Sequence, residues 1–368
     1  MRKVAIIGAN EAINNLIIKA KEKGYETHVF AWECGDPGEK TADYFYPVDV
    51  ADKEKILEKC KEIGVCGVAS ITSDFAVNTV NYVARKLNLI GNSEKTDDVA
   101  RNKYLMRCAL KDADLYTPWF TKVDKNTDLT FMKEHNYPII VKPTDRWSSK
   151  GVSRVDNWEG LQEAVNYAVF ESLNGEAIIE NFMDGPEYSA ECICQDGECT
   201  ILAITQKTTT GFPNYVETGH KQPADFDERL LDKINNTVKS AVKALDIKNS
   251  AAHAEFRIVD NKEIGIIEVG ARMGGDCIGT DLVRLSTGYD YVGMVLDVAC
   301  GNKIDFTKDK HYDEAKVKFI FNQDDYDRMC EIKTSNPERI VRSVVYSTEF
   351  NHVVKNSSDR YGYYVIGE

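Results

Sequence analysis

The sequence predicts an α/β fold in which an amino-terminal parallel sheet precedes two mixed α+β units. Near the amino terminus, short apolar runs alternate with amphipathic helical segments, a pattern typical of parallel strands covered by helices on both faces. A second alternating unit starts near Ser93, and long strands dominate from Glu187 onward. We therefore expect three units, at residues 1–92, 93–185 and 186–368.

The elements of the first unit follow from their apolar spacing. Residues 4–8 form the short apolar run of a buried strand, and residues 11–23 place apolar side chains on one helical face. Further strands are predicted at 27–32 and 65–71, and further helices at 53–63 and 74–87. This order is similar to a Rossmann-like sheet, but the turn Gly8-Ala9-Asn10 lacks the full GxGxxG spacing of a nicotinamide-binding loop.

The second and third units differ in their mixture of elements. In the second, the sequence predicts helices at 98–110, 128–134 and 158–173 and strands at 119–123, 138–142, 152–155 and 177–181. In the third, it predicts strands at 188–194, 200–208, 252–258 and 263–269, a helix at 226–245, and closing strands at 316–321, 341–347 and 361–366. Long strands should therefore form most of the third unit.

Charge and composition exclude several classes of function. The chain has 46 Lys and Arg against 59 Asp and Glu, a net charge of −13. Nucleic-acid binding requires cations that neutralise phosphates, so small molecules are the expected partners. We find no secretory signal and no apolar stretch of membrane-spanning length, which favours a cytoplasmic protein without membrane contact. The ten cysteines include no CxxC pair with a matching partner and are interpreted as reduced thiols.

Two glutamates in the last predicted strand pair form the clearest candidate site. Glu255 and Glu268 lie on either side of a predicted hairpin turn at residues 259–262, so they can face each other across the sheet. Two carboxylates in a partly buried place repel each other unless a cation lies between them. Magnesium, often shared with nucleotide phosphates, suits such oxygen ligands. The alternative is a pair of solvated glutamates at a sheet edge.

A glycine-rich segment with one arginine follows the second glutamate directly. Gly270, Gly274 and Gly275 allow a ligand to approach the backbone closely, and Arg272 lies four residues beyond Glu268. A guanidinium in that place can neutralise negative charge that develops during a reaction. The alternative is a structural ion pair.

Two lysines and a loop fit phosphate binding. Lys142 ends an apolar strand beside the loop 145–151, and Lys103 lies on the helix that opens the second unit. Ser148, Ser149 and Gly151 in that loop can donate hydrogen bonds to phosphates. Taken singly, each of these lysines is more typical of a protein surface.

A strand end at Glu180-Asn181-Phe182, followed by a turn and Glu187, can present backbone groups to a base and a carboxylate to a ribose. A plain hairpin connection is the alternative.

Read in order, these segments resemble the ATP-grasp superfamily of carboxylate–amine ligases over nearly the whole chain. The resemblance implies a pre-ATP-grasp domain followed by two α+β subdomains, with ATP and two Mg²⁺ ions as cofactors and Mn²⁺ as a substitute. It also assigns roles: Lys103 and Lys142 on the phosphates, Ser148, Ser149 and Gly151 in a lid, Glu180, Asn181 and Phe182 around the adenine, Glu187 on the ribose, Glu255 and Glu268 on the metal, and Arg272 on the reacting acyl group.

One departure bears on the branch of the superfamily. Many members have asparagine as a further metal ligand where this chain has Gly270. The run Glu268-Val269-Gly270-Ala271-Arg272 is instead similar to the L-amino-acid (dipeptide) ligases, as is the segment at residues 216–223. By that resemblance Glu217 holds a substrate amino group and His220 contacts a carboxylate or its phosphate. A loop histidine at a turn is the alternative, and the chain is shorter than those ligases.

The sequence therefore predicts an enzyme that joins a carboxylate, such as an amino acid, to an amine through an acyl phosphate and releases ADP and phosphate. Lys142 and Arg272 are the expected catalytic residues, with Gly274 and Gly275 beside the substrate. A carboxylase or ligase similar to biotin carboxylase or the purine-pathway enzymes is one alternative. A nucleotide-binding regulatory protein without turnover is another. The resemblance leaves a homodimer open.

Overall fold

The amino-terminal sheet is parallel, as predicted. The structure, a computed structural model, describes residues 1–146, 150–212, 215–310 and 312–368. Its first unit contains the strands β1 (Lys3–Ile7), β2 (Glu26–Ala31), β3 (Tyr44–Pro47) and β4 (Val68–Ala69) and the helices α1 (Glu11–Glu22), α2 (Pro37–Thr41), α3 (Lys53–Ile63) and α4 (Asp74–Lys86). The strands pair in the order β3-β2-β1-β4, all in parallel. The sequence did not predict α2 or β3, and β4 is much shorter than the predicted strand.

The second unit surrounds a four-stranded antiparallel sheet. Its helices are α5 (Glu94–Arg101), α6 (Lys103–Asp112) and α7 (Leu161–Glu171), and its strands are β5 (Phe120–Asp124), β6 (Ile139–Pro143), β7 (Ser153–Val155) and β8 (Glu176–Asn181). The strands pair in the order β5-β8-β6-β7. The predicted helix at 128–134 is wrong, because the structure has only a 3-10 turn at Thr130–Met132 there.

A single polar residue divides the predicted helix at 98–110 into two. Asn102 ends α5, and its side chain accepts hydrogen bonds from the backbone N–H groups of Tyr104 and Leu105 at 3.0 and 3.1 Å. An asparagine in extended backbone conformation satisfies the free N–H groups at the start of a helix. Lys103 therefore begins α6 instead of lying within a continuous helix.

An eight-stranded antiparallel sheet forms most of the third unit. Its strands are β9 (Glu187–Gln195), β10 (Glu198–Thr209), β11 (Glu217–Gln222), β12 (Ser250–Val259), β13 (Glu263–Gly270), β14 (Ala315–Ile320), β15 (Ile340–Val345) and β16 (Gly362–Gly367). They pair in the order β13-β12-β9-β10-β11-β14-β16-β15. The helices are α8 (Glu228–Ala244), α9 (Val283–Thr287), α10 (Tyr291–Ala299) and α11 (Gln323–Ser335). The sequence did not predict β11 or the last three helices.

Helix α10 packs away from the sheet that follows it in sequence. Every residue of α10 is buried, and its apolar side chains share a core with Val4 and Ile6 of β1 and the apolar face of α1. The same core includes Ile193 of β9. Helix α10 therefore joins the parallel sheet to the large antiparallel sheet.

In the described part of the chain, no helix is long and apolar enough to span a membrane.

Candidate functional site

Three buried charged residues form the first part of the site, which we call the Glu180 cluster: Arg107, Lys142 and Glu180. Arg107 Nε and Nη2 donate to the Glu180 carboxylate at 2.8 and 3.3 Å, and Lys142 Nζ donates to Glu180 Oε1. Although burial opposes ionisation, the two cations lower the pKa of Glu180 to about 2. Burial lowers the pKa of Lys142, and the charges of Arg107 and Lys103 lower it further against the effect of Glu180. A single carboxylate is therefore shared by two cations.

A buried lysine that the sequence did not indicate forms the centre of the second part. Lys207 Nζ on β10 lies 2.7 Å from Glu255 Oε1, 3.1 Å from Glu187 Oε1 and 3.7 Å from Glu217 Oε1. We call these four residues the Lys207 cluster. Burial opposes the charge of Lys207, but the three carboxylates raise its pKa above the ordinary value. The glutamates predicted for metal, ribose and substrate thus meet at one ammonium group.

The two predicted metal ligands are register partners, as the hairpin pattern indicated. Glu255 on β12 lies opposite Glu268 on β13, and their side chains are 25% and 24% exposed. Lys103 Nζ donates to Glu268 Oε1 at 3.0 Å and to the Arg146 carbonyl oxygen at 2.7 Å. Burial raises the pKa of Glu255, but Lys207 and His253 outweigh it and hold that pKa well below its usual range.

The carboxylates of Glu255 and Glu268 suit a magnesium ion whose other ligands come from outside the protein. Among the described residues no group of three or more His, Cys, Asp or Glu side chains is arranged to hold a metal. Two partly exposed carboxylates are the usual protein contribution where nucleotide phosphates and water complete the octahedron.

Arg272 forms the ion pair that the sequence left as an alternative. Its Nε and Nη2 donate to Asp74 Oδ1 and Oδ2 at 2.9 and 2.7 Å, and its Nη1 donates to the Met273 carbonyl oxygen at 3.1 Å. Burial lowers the pKa of Arg272, but the Asp74 carboxylate raises it above the ordinary value. Asp74 begins α4 in the first unit, so this pair connects the first unit to the segment that follows β13.

The predicted substrate residues lie in a strand and not in a loop. Glu217 and His220 belong to β11, and Arg360 donates to Glu217 Oε2 at 3.0 Å and to Asp276 Oδ2 at 2.8 Å. His220 Nε2 lies 3.9 Å from Asp276 Oδ2. Within the described part of the chain, buried His220 Nδ1 has no hydrogen-bond partner. Burial lowers the pKa of His220, and the neutral ring can donate a hydrogen bond from Nδ1 in the tautomer that has its proton there. The sequence did not indicate Arg360 or Asp276.

The other predicted nucleotide residues surround the end of β8. Asn181 Oδ1 lies 2.6 Å from His135 Nε2, and the Phe182 ring faces the guanidinium groups of Arg154 and Arg257 at 4.7 and 5.2 Å. Arg257 also donates to Glu187 Oε2 at 3.0 Å. Of the predicted lid, Gly151 adopts a left-handed conformation with φ of 77°, whereas Ser148 and Ser149 lie outside the described residues.

Gly274 lies against a buried histidine–glutamate pair that the sequence did not indicate. Its N–H donates to Glu191 Oε2 at 2.8 Å, and a Cβ at this position would lie 2.7 Å from Glu191 Oε1. Glu191 Oε1 also contacts His253 Nδ1. Burial lowers the pKa of His253, but Glu191 and Glu255 outweigh it and raise that pKa to about 9. A Cβ at Gly275 would meet only open space, so close packing does not require that glycine.

The chain is similar to several known ligases. The chain is 28% identical to alanine–anticapsin ligase of Bacillus subtilis over 287 residues, which cover 71% of the chain and 60% of that ligase. It is also 28% identical to D-alanine–D-alanine ligase of Flavobacterium johnsoniae, over 71% of the chain and 82% of that protein. The fold matches the crystal structure of L-amino acid ligase from Bacillus licheniformis with a TM-score of 0.84 and 24% identity, over 100% of this chain and 93% of the other.

The curated anticapsin ligase is thus considerably longer than this chain, which spans about three fifths of it. Residues 135–281 match the family model of the ATP-grasp domain. Those residues extend from the strand that carries Lys142 to the glycine-rich segment beyond Arg272. The chain therefore contains a segment that matches an ATP-grasp domain.

Proposed function

We propose that this chain is an ATP- and Mg²⁺-dependent ligase that joins a carboxylate to an amine through an acyl phosphate. The observation that carries the proposal is the opposite charge balance of the two clusters. The Glu180 cluster has two cations for one carboxylate, and the Lys207 cluster has three carboxylates for one cation. An excess of cations suits phosphates, and an excess of carboxylates suits a metal ion or a substrate ammonium group.

The nucleotide would lie between the second and third units. Lys142 and Lys103 would contact its phosphates, because Lys142 is a buried cation of the Glu180 cluster and buried Lys103, whose charge acts on Lys142, donates to Glu268. The backbone of residues 180–182 would border the adenine, while the Glu180 side chain stays with its two cations. Glu187 at the start of β9 would reach the ribose. Residues 148–151 would form the lid that excludes water from the reacting groups.

Glu255 and Glu268 would hold magnesium, which neutralises the charge of the triphosphate when bound. Lys103 and Lys207 neutralise the same two carboxylates in the free chain. Each ammonium group can turn from its carboxylate to a phosphate oxygen, since lysine carries its charge on a flexible stem. Lys103 and Lys207 would therefore neutralise the two carboxylates until the nucleotide and magnesium bind.

The acid would be an amino acid, as the names of the alanine–anticapsin and D-alanine–D-alanine ligases indicate for those relatives. Glu217 would hold its ammonium group, and His220, with an unpartnered buried nitrogen, would contact its carboxylate. Arg272 would lie beside the acyl group and stabilise negative charge as phosphate is transferred and then displaced by the amine. The position of Glu217 and His220 on β11, beside Lys207, favours this reading over a carboxylase.

The test is phosphate release from magnesium-ATP across single and paired amino acids, followed by mass spectrometry of the products. We expect release that requires an amino acid and an amine, and a loss of at least about 100-fold in Arg272→Ala, as for other removed charge stabilisers. Arg284→Ala, which changes an exposed arginine on α9, is the matched control and should turn over normally. Nucleotide binding without release under any pair would overturn the proposal and favour a regulatory protein.

A further inference from the structure

The ion pair between Asp74 and Arg272 has the geometry of a device that orients the arginine. Two parallel hydrogen bonds of 2.9 and 2.7 Å join the guanidinium to the carboxylate, across 198 positions of sequence. Such a bidentate pair fixes the plane of the guanidinium as well as its distance. The third contact, from Nη1 to the Met273 carbonyl oxygen at 3.1 Å, holds the remaining edge.

The backbone beneath Asp74 places the carboxylate at the start of a helix. Ser73 caps α4 through a hydrogen bond from the Ala76 N–H to its hydroxyl at 3.3 Å, and Asp74 is the first helical residue. Thr72, just before this cap, has a φ of 59°, a left-handed conformation that is costly for a β-branched residue. The first turn of a helix is also a favourable place for a carboxylate, and this segment presents the Asp74 side chain to the site.

Gly270 provides the space in which the pair forms. Its φ lies outside the left-handed region, so its backbone conformation is open to other residues. A Cβ at this position would lie 3.1 Å from Asp74 Oδ1 and 3.3 Å from Arg272 Nε, the two atoms that bond each other. A side chain at position 270 would therefore force the members of the ion pair to shift by a few tenths of an ångström.

We propose that Asp74, supplied by the first unit, is the positioning residue for Arg272, and that Gly270 is present because the pair needs its space. This inference rests on the ligase reaction proposed above. It assigns a part in catalysis to the amino-terminal unit, which lies outside the matched domain at residues 135–281. It also accounts for glycine at a position where the resemblance leads one to expect asparagine.

The pair itself is tested by ¹⁵N NMR of the arginine guanidinium groups, with Arg272→Lys to assign the signal. We expect two resolved Nη signals for Arg272, because the bidentate contact slows rotation about its Nε–Cζ bond. Asp74→Asn should merge them. A freely rotating Arg272 in the wild type, or an unchanged signal in Asp74→Asn, would overturn the proposal whatever reaction the protein catalyses.

The catalytic role is tested by steady-state kinetics. Asp74→Asn should lower kcat by about 10- to 100-fold, a share of the loss from removing a charge stabiliser, and leave KM for ATP within about twofold. Gly270→Asn should lower kcat in the wild-type background but by less than about twofold in Asp74→Asn, because the clash then has no pair to break. Additive losses, or a normal kcat in Asp74→Asn, would contradict the proposal.

Asp97→Asn is the matched control, since Asp97 forms a comparable partly buried pair at 2.8 Å with Arg85 and not with Arg272. It should change thermal stability but not kcat. If the wild type turns over no acid and amine at all, the ligase proposal fails and the catalytic role of Asp74 fails with it. The NMR measurement then still decides whether the orienting pair exists.

Discussion

The Glu180 cluster and the Lys207 cluster differ in how far their charged side chains are exposed to solvent. In the first, the side chains of Arg107, Lys142 and Glu180 are 1%, 6% and 4% exposed, so the group is nearly closed to solvent and Lys142 is its most exposed member. In the second, Lys207 is 4% exposed, but the carboxylates of Glu217 and Glu255 are each 25% exposed. We call the first the closed cluster and the second, which is open on its anionic side, the open cluster.

The difference indicates which charges can exchange partners. Removing one member of a closed cluster leaves a buried charge without compensation, which proteins tolerate poorly. The carboxylates of Glu217 and Glu255 in the second cluster are partly exposed, so they can instead bind a metal ion or an ammonium group that arrives from solvent. We therefore expect the closed cluster to hold Lys142 in a fixed position, and ligands to compete with Lys207 at the open one.

The largest effect should follow from breaking the closed cluster. Glu180→Gln leaves Arg107 and Lys142 buried beside each other without an anion, so we expect the free energy of unfolding to fall by about 3 to 5 kcal/mol. Urea denaturation measures this loss. The matched control is Glu176→Gln on the same strand, whose pair with Lys122 is 30% and 42% exposed and should contribute no more than about 1 kcal/mol. Equal losses in the two variants would show that the cluster is not closed.

A somewhat smaller loss should follow at the open cluster, and magnesium should partly reverse it. Lys207→Met removes the cation that Glu187, Glu217 and Glu255 share and leaves each only its outer partner, Arg257, Arg360 or His253. We expect a loss of about 3 kcal/mol in the free energy of unfolding. Added Mg²⁺ should restore part of it, because a divalent cation can replace the ammonium group.

The control for this prediction is Lys233→Met, which removes an exposed pair with Glu263 and should respond to magnesium as the wild type does. Thermal melting with and without Mg²⁺ gives the comparison. The same magnesium effect on both variants would mean that the carboxylates of the Lys207 cluster do not take up the cation.

The smallest effect concerns pH at the boundary of the open cluster. Glu191 and Glu255 raise the pKa of His253 from 6.5 to about 9 against the effect of burial. The folded chain therefore holds a proton that the unfolded chain releases. Its stabilising effect is complete below about pH 6.5 and is lost as the pH rises through 9.

A shift of this size corresponds to at most about 3 kcal/mol, and shared titration with the two glutamates reduces it. Urea denaturation at pH 6.5, 7.5 and 9 should show a falling free energy of unfolding in the wild type and a flatter profile in His253→Gln. Parallel profiles would assign the pH dependence to other groups.

The regular part of the fold could be predicted because its patterns are local. The apolar spacing in α1 and α3 and the hairpin that brings Glu255 opposite Glu268 lie within short segments of sequence. Helix α10 could not be assigned in the same way. Apart from Asp297, its residues are mostly apolar on all sides because it is buried between two sheets, so it lacks the polar face that marks a surface helix.

The site residues that could not be predicted are those whose role depends on partners far away in the sequence. Asp74 and Arg360 each meet the site from far away in the sequence, and nothing adjacent to them marks it. Glu191 could have been found from the sequence, because it is a carboxylate in the mostly apolar middle of strand β9. A carboxylate in such a strand requires a partner, and His253 on the neighbouring strand supplies it.

The strand order of the large sheet has a consequence for how the site is assembled during synthesis. Strand β16 is the last of its eight strands in sequence but lies between β14 and β15. Until it emerges from the ribosome, β14 and β15 have no common neighbour, and Arg360, which leads into β16, has not reached Glu217 and Asp276. During synthesis, the residues of the Glu180 cluster can therefore meet well before Arg360 contacts Glu217 and Asp276.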